Sequence, residues 1–493
     1  MPTMKKFLIL LLVSLLALVV IVAGILFTQT GNDLVKPYLK TELEKQIGLP
    51  VEVDTFKLRY DHTVLDIIID KALKVDVYSD FKLLDQSFDG TYVIYANNFV
   101  YQKINLKEAN INGEFYGVPD DLYVNGKGTS FEAPINYKLR VLKGDVQEIH
   151  IDLKEMPVAD ILTLAKQPAL AKGKVDAHLV IPTLVKEKMH TQAHVTLNGI
   201  TFNDALMKKL YKVTLPKSFS LAGNIDANLS DTHIVGKVDA KSNIANVTLE
   251  NLKFNKNTKH VNSEYLIDIV NLKELSGLLR TKLDGMIVLQ GDIEKTDTLK
   301  VTGFTDSLGG KINYKLLDKD FHSSIVAMPM QNMLKMFSFP AFVDSNTSGE
   351  IHYNLLSKKG HTKLSLADFK LAPNDVTKTL GKVMPMNPTD IVFGATSLEA
   401  NVDGDEVVYS LMAKASEASI SIGEGRINKE KDTHEAKIEF GFNKYAIAGS
   451  IGGSIRQPKV GFDTQGFMED QILKNDFQDK VEKEVTRFLD RLF

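Results

Sequence analysis

The chain contains no cysteine among its 493 residues. That absence excludes disulfide bonds, zinc sites built from thiolates and catalytic thiol nucleophiles. The chain also lacks a charge imbalance, because 59 basic residues are matched by 62 acidic ones and the formal net charge is only -3. Nucleic acid is therefore not an expected partner. No proline-rich or serine-rich stretch marks a linker between domains, which favours one continuous body.

The composition is that of a folded protein, with 44% hydrophobic and 25% charged residues. A chain of this length exceeds a usual single domain. It therefore forms either several globular domains or one elongated, repetitive architecture.

The N-terminus carries a long apolar run. Lys5 and Lys6 precede 21 residues without a charge, from Phe7 to Phe27. At about 1.5 Å per residue this run spans roughly 31 Å, which matches the hydrocarbon core of a bilayer. It is too long for a signal peptide, and no convincing cleavage site follows it. We predict an uncleaved transmembrane helix whose anchoring residues include Phe7, Leu12, Leu16, Val20, Leu26 and Phe27. The preceding lysines predict a cytoplasmic N-terminus, with the rest of the chain translocated.

The segment after the anchor has the period of a helix. Apolar residues recur at intervals of three and four, and Gly48 and Pro50 end the pattern, while Pro37 is expected only in the first turn of this helix. The apolar positions are Leu34, Val35, Tyr38, Leu39, Leu43 and Ile47. This amphipathic helix either lies on the membrane surface or packs on the following β-segment.

From residue 51 to about 466 the period changes to two, which is typical of strands with one apolar face. Turn-forming sequences such as Asp403-Gly404 separate these strands, so an antiparallel meander is predicted. Four segments that begin with Gly173, Gly223, Gly285 and Gly349 repeat the pattern at spacings of 50, 62 and 64 residues. Short helical insertions are predicted at 158–165, 204–211, 272–279 and 329–337.

A second amphipathic helix is predicted at 467–493, with Phe477, Val481 and Val485 on its apolar face. It either closes the end of the sheet or contacts a membrane or a partner, and the first is the commoner role. The predicted organisation is thus a cytoplasmic tip and anchor at 1–30, a helix at 31–50, a β-domain at 51–466 and a helix at 467–493.

No catalytic or metal-binding motif is found. His190 and His194 would lie about 13 Å apart in a strand and could not share a metal ion, and the other histidines are scattered. Gly423-Glu424-Gly425 lacks a following helix, and Asp403-Gly404-Asp405 lacks the further oxygen ligands of a calcium loop. We predict a protein that is not an enzyme and has no cofactor.

The chain resembles the AsmA-like family of bacterial envelope proteins. The resemblance rests on the anchor, on the sequence from Ile47 to Val51 that joins a short helix to the first strand, and on the glycine-started strands. It is densest between Leu272 and Ile312, and it covers nearly the whole chain as a pattern. The resemblance implies a bridge-like lipid transfer protein of the inner membrane whose curved β-sheet forms an apolar groove in the periplasm. The chain is shorter than the family's largest members, and no outer-membrane docking domain is matched.

The fold predicted from these features is mainly β: an elongated curved antiparallel sheet forming an apolar groove, with one transmembrane helix and short amphipathic helices. A sheet with one apolar face must bury that face, and the predicted helices are too few to cover it. Lipid chains would supply the missing layer, whereas a sandwich or a closed barrel would cover the face with protein. The candidate groove residues are Ile149, Ile151, Leu153, Val195, Leu197, Ile225, Ile287, Leu299, Val301, Ile351, Ile438 and Phe440.

Two functions follow from this fold. In the first, the protein carries or conducts phospholipids between the inner and outer membranes. In the second, it is a periplasmic scaffold or assembly factor whose sheet edges bind outer-membrane proteins by β-augmentation. A uniformly apolar face favours the first function, and polar breaks in that face favour the second.

Overall fold

The computed structural model describes residues 27–82, 85–101, 104–164, 167–183, 190–216, 219–276, 281–373, 377–378, 381, 387–443 and 445–462. The predicted C-terminal helix and the predicted anchor, apart from Phe27, lie outside these residues and stay predictions. Among the residues described, no helix has both the length and the hydropathy of a membrane span.

The described chain divides into two compact units. Unit 1 extends to Ser242 and includes residues 255–257, and unit 2 comprises Asn243–Phe254 and the chain from Thr258 onward. Mainly β structure is confirmed in both, because the described residues contain 26 strands and few helices.

The strands of unit 1 are β1 Val51–Leu58, β2 His62–Ile69, β3 Leu73–Lys82, β4 Ser87–Tyr101, β5 Ile104–Val118, β6 Asp121–Ser130, β7 Ala133–Leu142, β8 Asp145–Pro157, β9 Ala171–Thr183, β10 His190–Phe202, β11 Leu221–Ser230 and β12 His233–Ser242. Those of unit 2 are β13 Ala245–Asn255, β14 Val261–Ile269, β15 Ile287–Lys295, β16 Leu299–Thr305, β17 Lys311–Leu317, β18 Asp320–Pro329, β19 Val343–Asn354, β20 Lys359–Leu371, β21 Ala395–Asp403, β22 Glu406–Lys414, β23 Ala418–Asn428, β24 Thr433–Phe442, β25 Tyr445–Gly453 and β26 Pro458–Phe462.

Within each unit, every strand pairs antiparallel with the next strand in the chain. The predicted antiparallel meander is therefore confirmed within both units.

The 3-10 turn at Pro388–Asp390 was not predicted, whereas the α-helices lie close to where the sequence predicted them. They are α1 Gln29–Ile47, α2 Val158–Leu164, α3 Asp204–Tyr211 and α4 Met330–Met336, with 3-10 turns at Leu272–Leu275 and Pro388–Asp390. The insertion predicted at 272–279 begins as a 3-10 turn rather than as an α-helix.

The start of α1 differs from the prediction. The Thr28 side chain accepts a hydrogen bond from the amide of Gly31 and caps the helix at Gln29. Pro37 therefore lies in the helix interior, not in its first turn. The C-terminus is as predicted, because Gly48 adopts a left-handed conformation with φ of 74°.

Helix α1 lies along the free edge of β1. The buried Asn32 side chain donates to the carbonyl of Leu58 and accepts from its amide, at 3.3 and 2.9 Å. The Lys36 ammonium donates to the carbonyl of Asp54 at 2.9 Å, and the Glu44 carboxylate accepts from the amide of Val51 at 3.1 Å. These side chains satisfy backbone groups that an unpaired edge strand would otherwise expose.

The apolar stripe predicted on α1 is divided between two environments. Leu43 and Ile47 pack against a core cluster built on β1, β2, β4 and β5. Leu34 and Tyr38 are instead 66% and 82% exposed. Apolar packing on the β-segment is therefore found for the C-terminal half of the helix, whereas the N-terminal half contacts β1 through the polar side chains of Asn32 and Lys36.

Each unit has two different rims. In an antiparallel meander, all connections from an even-numbered to an odd-numbered strand lie at one end of the strands. Helices α2 and α3 occupy such connections in unit 1, and α4 and both 3-10 turns occupy them in unit 2. We call this end the helix rim. The described connections at the opposite end, the turn rim, are short, such as Lys143-Gly144 in unit 1 and Gly404-Asp405 in unit 2.

The buried core follows the helix rim. In unit 1 it includes Val51, Ile69, Ala96, Ala109, Phe131, Ala133, Met156, Ala171 and Ile200, all close to that rim. In unit 2 the largest cluster contains Met328, Met330, Phe369, Phe393 and Phe440, where α4 and the segment after the Pro388 turn cover the sheet. The helices therefore close one rim of each apolar face rather than the whole face.

Candidate functional site

The apolar face of unit 1 is continuous from its first strand to its last. Directly paired residues lie on the same face of a sheet, so the register identifies each row of side chains. The central row is Val53, Ile67, Val75, Ile94, Ile111, Gly128, Ile135, Leu153, Ala177, Val195, Ile225 and Val238. Each of the twelve strands thus contributes an apolar residue or a glycine to this row.

The opposite face of unit 1 is polar. One row on that face is Asp66, Asp76, Val93, Asn112, Lys127, Asn136, Asp152, His178, His194, Asp226 and Lys237. A cleft of about 930 Å³ lies among the side chains of β4 to β9. Its charged residues balance, because Lys127 and Lys138 accompany Glu114 and Asp152. The cleft therefore offers no charge-based preference for an anionic ligand.

The register places all twelve candidate groove residues on the apolar face of their own unit. Ile149, Ile151, Leu153, Val195, Leu197 and Ile225 share that face in unit 1. Ile287, Leu299, Val301, Ile351, Ile438 and Phe440 share it in unit 2. Their contact with a lipid stays a prediction.

These residues differ in how accessible they are. Phe440 is 1% exposed and Ile149 is 6% exposed, so both belong to the closed core. The other ten are only partly buried. Only those ten have surface left to offer a ligand.

The apolar face of unit 2 carries more polar atoms than that of unit 1. Its central row is Leu249, Tyr265, Gly291, Gly303, Tyr314, Ser323, Ile351, Thr362, Ala400, Tyr409, Gly425, Ala436, Ile451 and Val460. The Ser323 hydroxyl donates to the carbonyl of Asn313 at 3.0 Å, and Ser263 donates to Glu250 at 2.8 Å. These two hydroxyls are thus satisfied by the backbone and add little polarity to the face.

Glycines allow the sheet to bend toward the apolar face. A Cβ placed on Gly128 would overlap the carbonyl oxygen of Asn110 and lie 2.7 Å from Cα of Ile111, on the neighbouring strand. A Cβ on Gly349 of unit 2 would lie 2.8 Å from Cα of Leu364. The neighbouring strands therefore approach closely at these glycines, and the sheet of each unit curves with its apolar face on the concave side. Other strand glycines on this face of unit 1 are Gly90, Gly113, Gly117, Gly126, Gly223 and Gly236.

A pair of tyrosines spans two glycines in unit 1. Tyr92, Gly113, Gly126 and Tyr137 occupy consecutive positions of one row on β4 to β7. The two hydroxyls are hydrogen-bonded to each other, and that of Tyr92 donates to the carbonyl of Asn125 at 2.9 Å. A Cβ on Gly113 would overlap the Tyr92 ring. The glycines thus provide the space in which the rings lie.

The same arrangement recurs in unit 2. Tyr265, Gly291, Gly303 and Tyr314 are consecutive on β14 to β17, and the two hydroxyls are 2.8 Å apart. The Tyr265 hydroxyl lies 3.2 Å from the carbonyl of Thr302, which precedes the second glycine as Asn125 does in unit 1. We call each set a tyrosine brace.

Burial keeps the braces protonated. It raises the pKa of Tyr92 and of Tyr265 far above the usual range, and the hydrogen bond to the partner tyrosine raises both further. Burial also raises the pKa of Tyr137 and Tyr314. The hydroxyls therefore remain neutral hydrogen-bonding groups on the apolar faces of the two units.

Another tyrosine on the apolar face of unit 2 pairs with a histidine. The Tyr409 hydroxyl lies 2.6 Å from Nε2 of His434, and a Cβ on Gly425 would overlap the tyrosine ring. Burial raises the pKa of Tyr409 to about 12 and lowers the pKa of His434. His434 is thus held neutral on the apolar face.

No protein-family model matches the chain, and no curated protein is significantly similar to it. The resemblance to AsmA-like proteins therefore stays a prediction.

Proposed function

We propose that the protein carries or conducts phospholipids along the apolar faces of its β-units, from a membrane anchor into the bacterial periplasm. The observation that carries this proposal is the central row of unit 1, which has no polar side chain on any of its twelve strands. A row of that kind needs an apolar covering layer.

The two rims favour a lipid as that layer. The helix rim is already buried by protein, whereas apolar residues toward the turn rim, such as Phe81, Leu122 and Val141, are only partly buried. An acyl chain on the remaining surface would gain about 0.8 kcal/mol per buried methylene. The headgroup would remain in water beside the turn rim.

The anchor determines where such a protein would take up lipid. The apolar run predicted to cross the membrane ends at Phe27, directly before α1. Lipid would therefore enter unit 1 first, beside the inner membrane. Leu34 and Tyr38, both exposed on α1, fit contact with the membrane surface.

The test is the phospholipid content of the purified full-length protein after exchange into lipid-free detergent. We expect bound phospholipid by mass spectrometry, and we expect Val301→Asp to lose much of it because a carboxylate disfavours an acyl neighbour. Thr302→Asp is the matched control, since Thr302 is the next residue on the opposite face. Phe440 is unsuitable for this test because its substitution would disrupt the core of unit 2.

Two results would contradict the proposal. One is a folded wild-type protein without bound phospholipid. The other is equal phospholipid in the Val301→Asp and Thr302→Asp proteins.

The scaffold function is favoured by polar residues on the apolar face of unit 2, such as Ser323 and Thr362, but not by the edge of β1. Binding of client strands requires an exposed sheet edge. The edge of β1 is instead occupied by α1, whose Asn32, Lys36 and Glu44 side chains bond its backbone.

A further inference from the structure

Three histidines far apart in the sequence meet on the polar face of unit 2. His322 on β18 pairs directly with His352 on β19, and His352 pairs directly with His361 on β20. The rings of His322 and His352 are 4.5 Å apart and nearly perpendicular. We call these three residues the histidine ladder. The sequence-based view of them as scattered residues is therefore wrong for this group.

The spacing of the ladder suits a shared ligand. Directly paired residues of an antiparallel sheet have Cβ atoms about 4.5–5.5 Å apart. All three side chains are solvent-exposed, so they can change rotamer without disturbing the core. Neutral imidazole nitrogens are common ligands of divalent transition-metal ions. A zinc ion with three histidine ligands and one open coordination position is a common arrangement.

Two side chains beside the ladder suit a metal site, one by orienting a ligand histidine and the other as a further ligand. Nδ1 of His361 lies 2.9 Å from the amide oxygen of Asn401. That oxygen accepts the Nδ1 proton, which leaves Nε2 of His361 as the metal-binding nitrogen. A Glu350 carboxylate oxygen lies 3.5 Å from Nε2 of His352, close enough to supply a fourth ligand.

We propose that His322, His352 and His361 bind a divalent transition-metal ion such as Zn²⁺, with Glu350 or water in the fourth position. Among the described residues, no three potential ligands already converge as a metal site. The imidazoles would therefore converge by rotation when the ion binds.

A second pair of paired histidines provides a contrast in unit 1. His178 and His194 are directly opposite, but His178 bonds Asp152 and His194 bonds Asp226 through Nδ1. These carboxylates lie on the two outer strands, β8 and β11, so each ring bonds a carboxylate on the side away from the other histidine. In the ladder, the ring contact between His322 and His352 instead brings two imidazoles together.

The test is calorimetric titration of Zn²⁺ into the full-length protein in detergent, prepared without a polyhistidine tag. We expect a site that His352→Gln weakens by about tenfold or more and that Asn401→Ala weakens by about tenfold. His190→Gln is the control, because His190 is an exposed strand histidine that pairs with Ser230. X-ray absorption of the zinc-loaded protein should show three imidazole ligands.

The proposal is overturned if the protein does not bind Zn²⁺. It is also overturned if His352→Gln and His322→Gln, each folded by circular dichroism, bind Zn²⁺ as tightly as His190→Gln.

Discussion

Single residues on the apolar face determine how closely the strands approach. The tyrosine braces show this most clearly. In unit 1 the rings of Tyr92 and Tyr137 occupy space left by Gly113 and Gly126 on the adjacent strands, and in unit 2 the hydroxyls of Tyr265 and Tyr314 lie close to Gly303. The partners are 45 and 49 residues apart in the sequence. Periodicity predicts which face a tyrosine occupies, but only the register shows which tyrosine it meets. The braces and the histidine ladder were missed in the sequence for this reason.

The first prediction concerns the space beneath a brace. Gly113→Ala should lower the free energy of unfolding by about 1–3 kcal/mol, because the added methyl group overlaps the ring of Tyr92. Gly423→Ala is the control, since a Cβ at Gly423 has no atom within 4 Å. Urea unfolding of both variants measures the difference, and equal losses would argue against a structural role for the brace.

The second prediction concerns His434, the partly buried histidine on the apolar face of unit 2. Burial lowers the pKa of His434 below its usual value of 6.5, so the unfolded chain takes up this proton more readily than the folded protein. The contribution of His434 to stability is complete above that usual value. It is lost as the pH falls from there toward the lowered pKa.

The stability of the His434→Gln protein should therefore fall less than that of the wild type between pH 7 and pH 5. Urea unfolding at several pH values measures both slopes, and the wild type supplies the contribution of all other groups. Identical slopes would show that the environment of His434 does not disfavour its protonation.

At the scale of elements, alternation predicted the strands and their apolar face well because burial on one face imposes it. Two of the helical insertions were predicted for a similar reason, since apolar residues of α2 and α4 pack against the sheet. Helix α3, in contrast, has no buried residue. What the sequence could not provide was their common position on one rim. A connection lies at the helix rim when it leads from an even-numbered to an odd-numbered strand. Its position can therefore be predicted only after every strand has been identified. The role of α1 was also missed, because it depends on polar residues rather than on the apolar stripe.

The third prediction tests α1 as an edge cover. Asn32→Ala should lower the free energy of unfolding by about 1–3 kcal/mol, because the amide and carbonyl of Leu58 lose the buried side chain that bonds them. Hydrogen exchange at the Leu58 amide should become faster. Gln46→Ala removes only an exposed bond to Glu42 of the same helix and should change stability by less than about 0.5 kcal/mol. Equal losses of stability in the Asn32→Ala and Gln46→Ala proteins would contradict the role of α1 as an edge cover.

At the scale of the whole molecule, the division into two units had no signal in the sequence. Only Asn243 and Ile244 separate β12 from β13, and neither resembles a linker. Both units nevertheless repeat the same parts: an apolar face, a tyrosine brace and a helix rim. If the protein carries phospholipids as proposed, each unit offers its own apolar face to an acyl chain, and the two units act either separately or in series.

The fourth prediction separates these two modes. If lipids are conducted along both units, Val195→Asp in unit 1 and Val301→Asp in unit 2 should each stop the transfer of labelled phospholipid between the two membranes of living cells. If each unit acts as a separate carrier, either single variant should retain part of the transfer and only the double variant should lose it. The controls are Gln192→Asp and Thr302→Asp, which place the same charge on the polar face of the same strands. Transfer at the wild-type rate in the double variant would exclude both modes, because two carboxylates within the apolar faces are incompatible with an acyl chain lying on them.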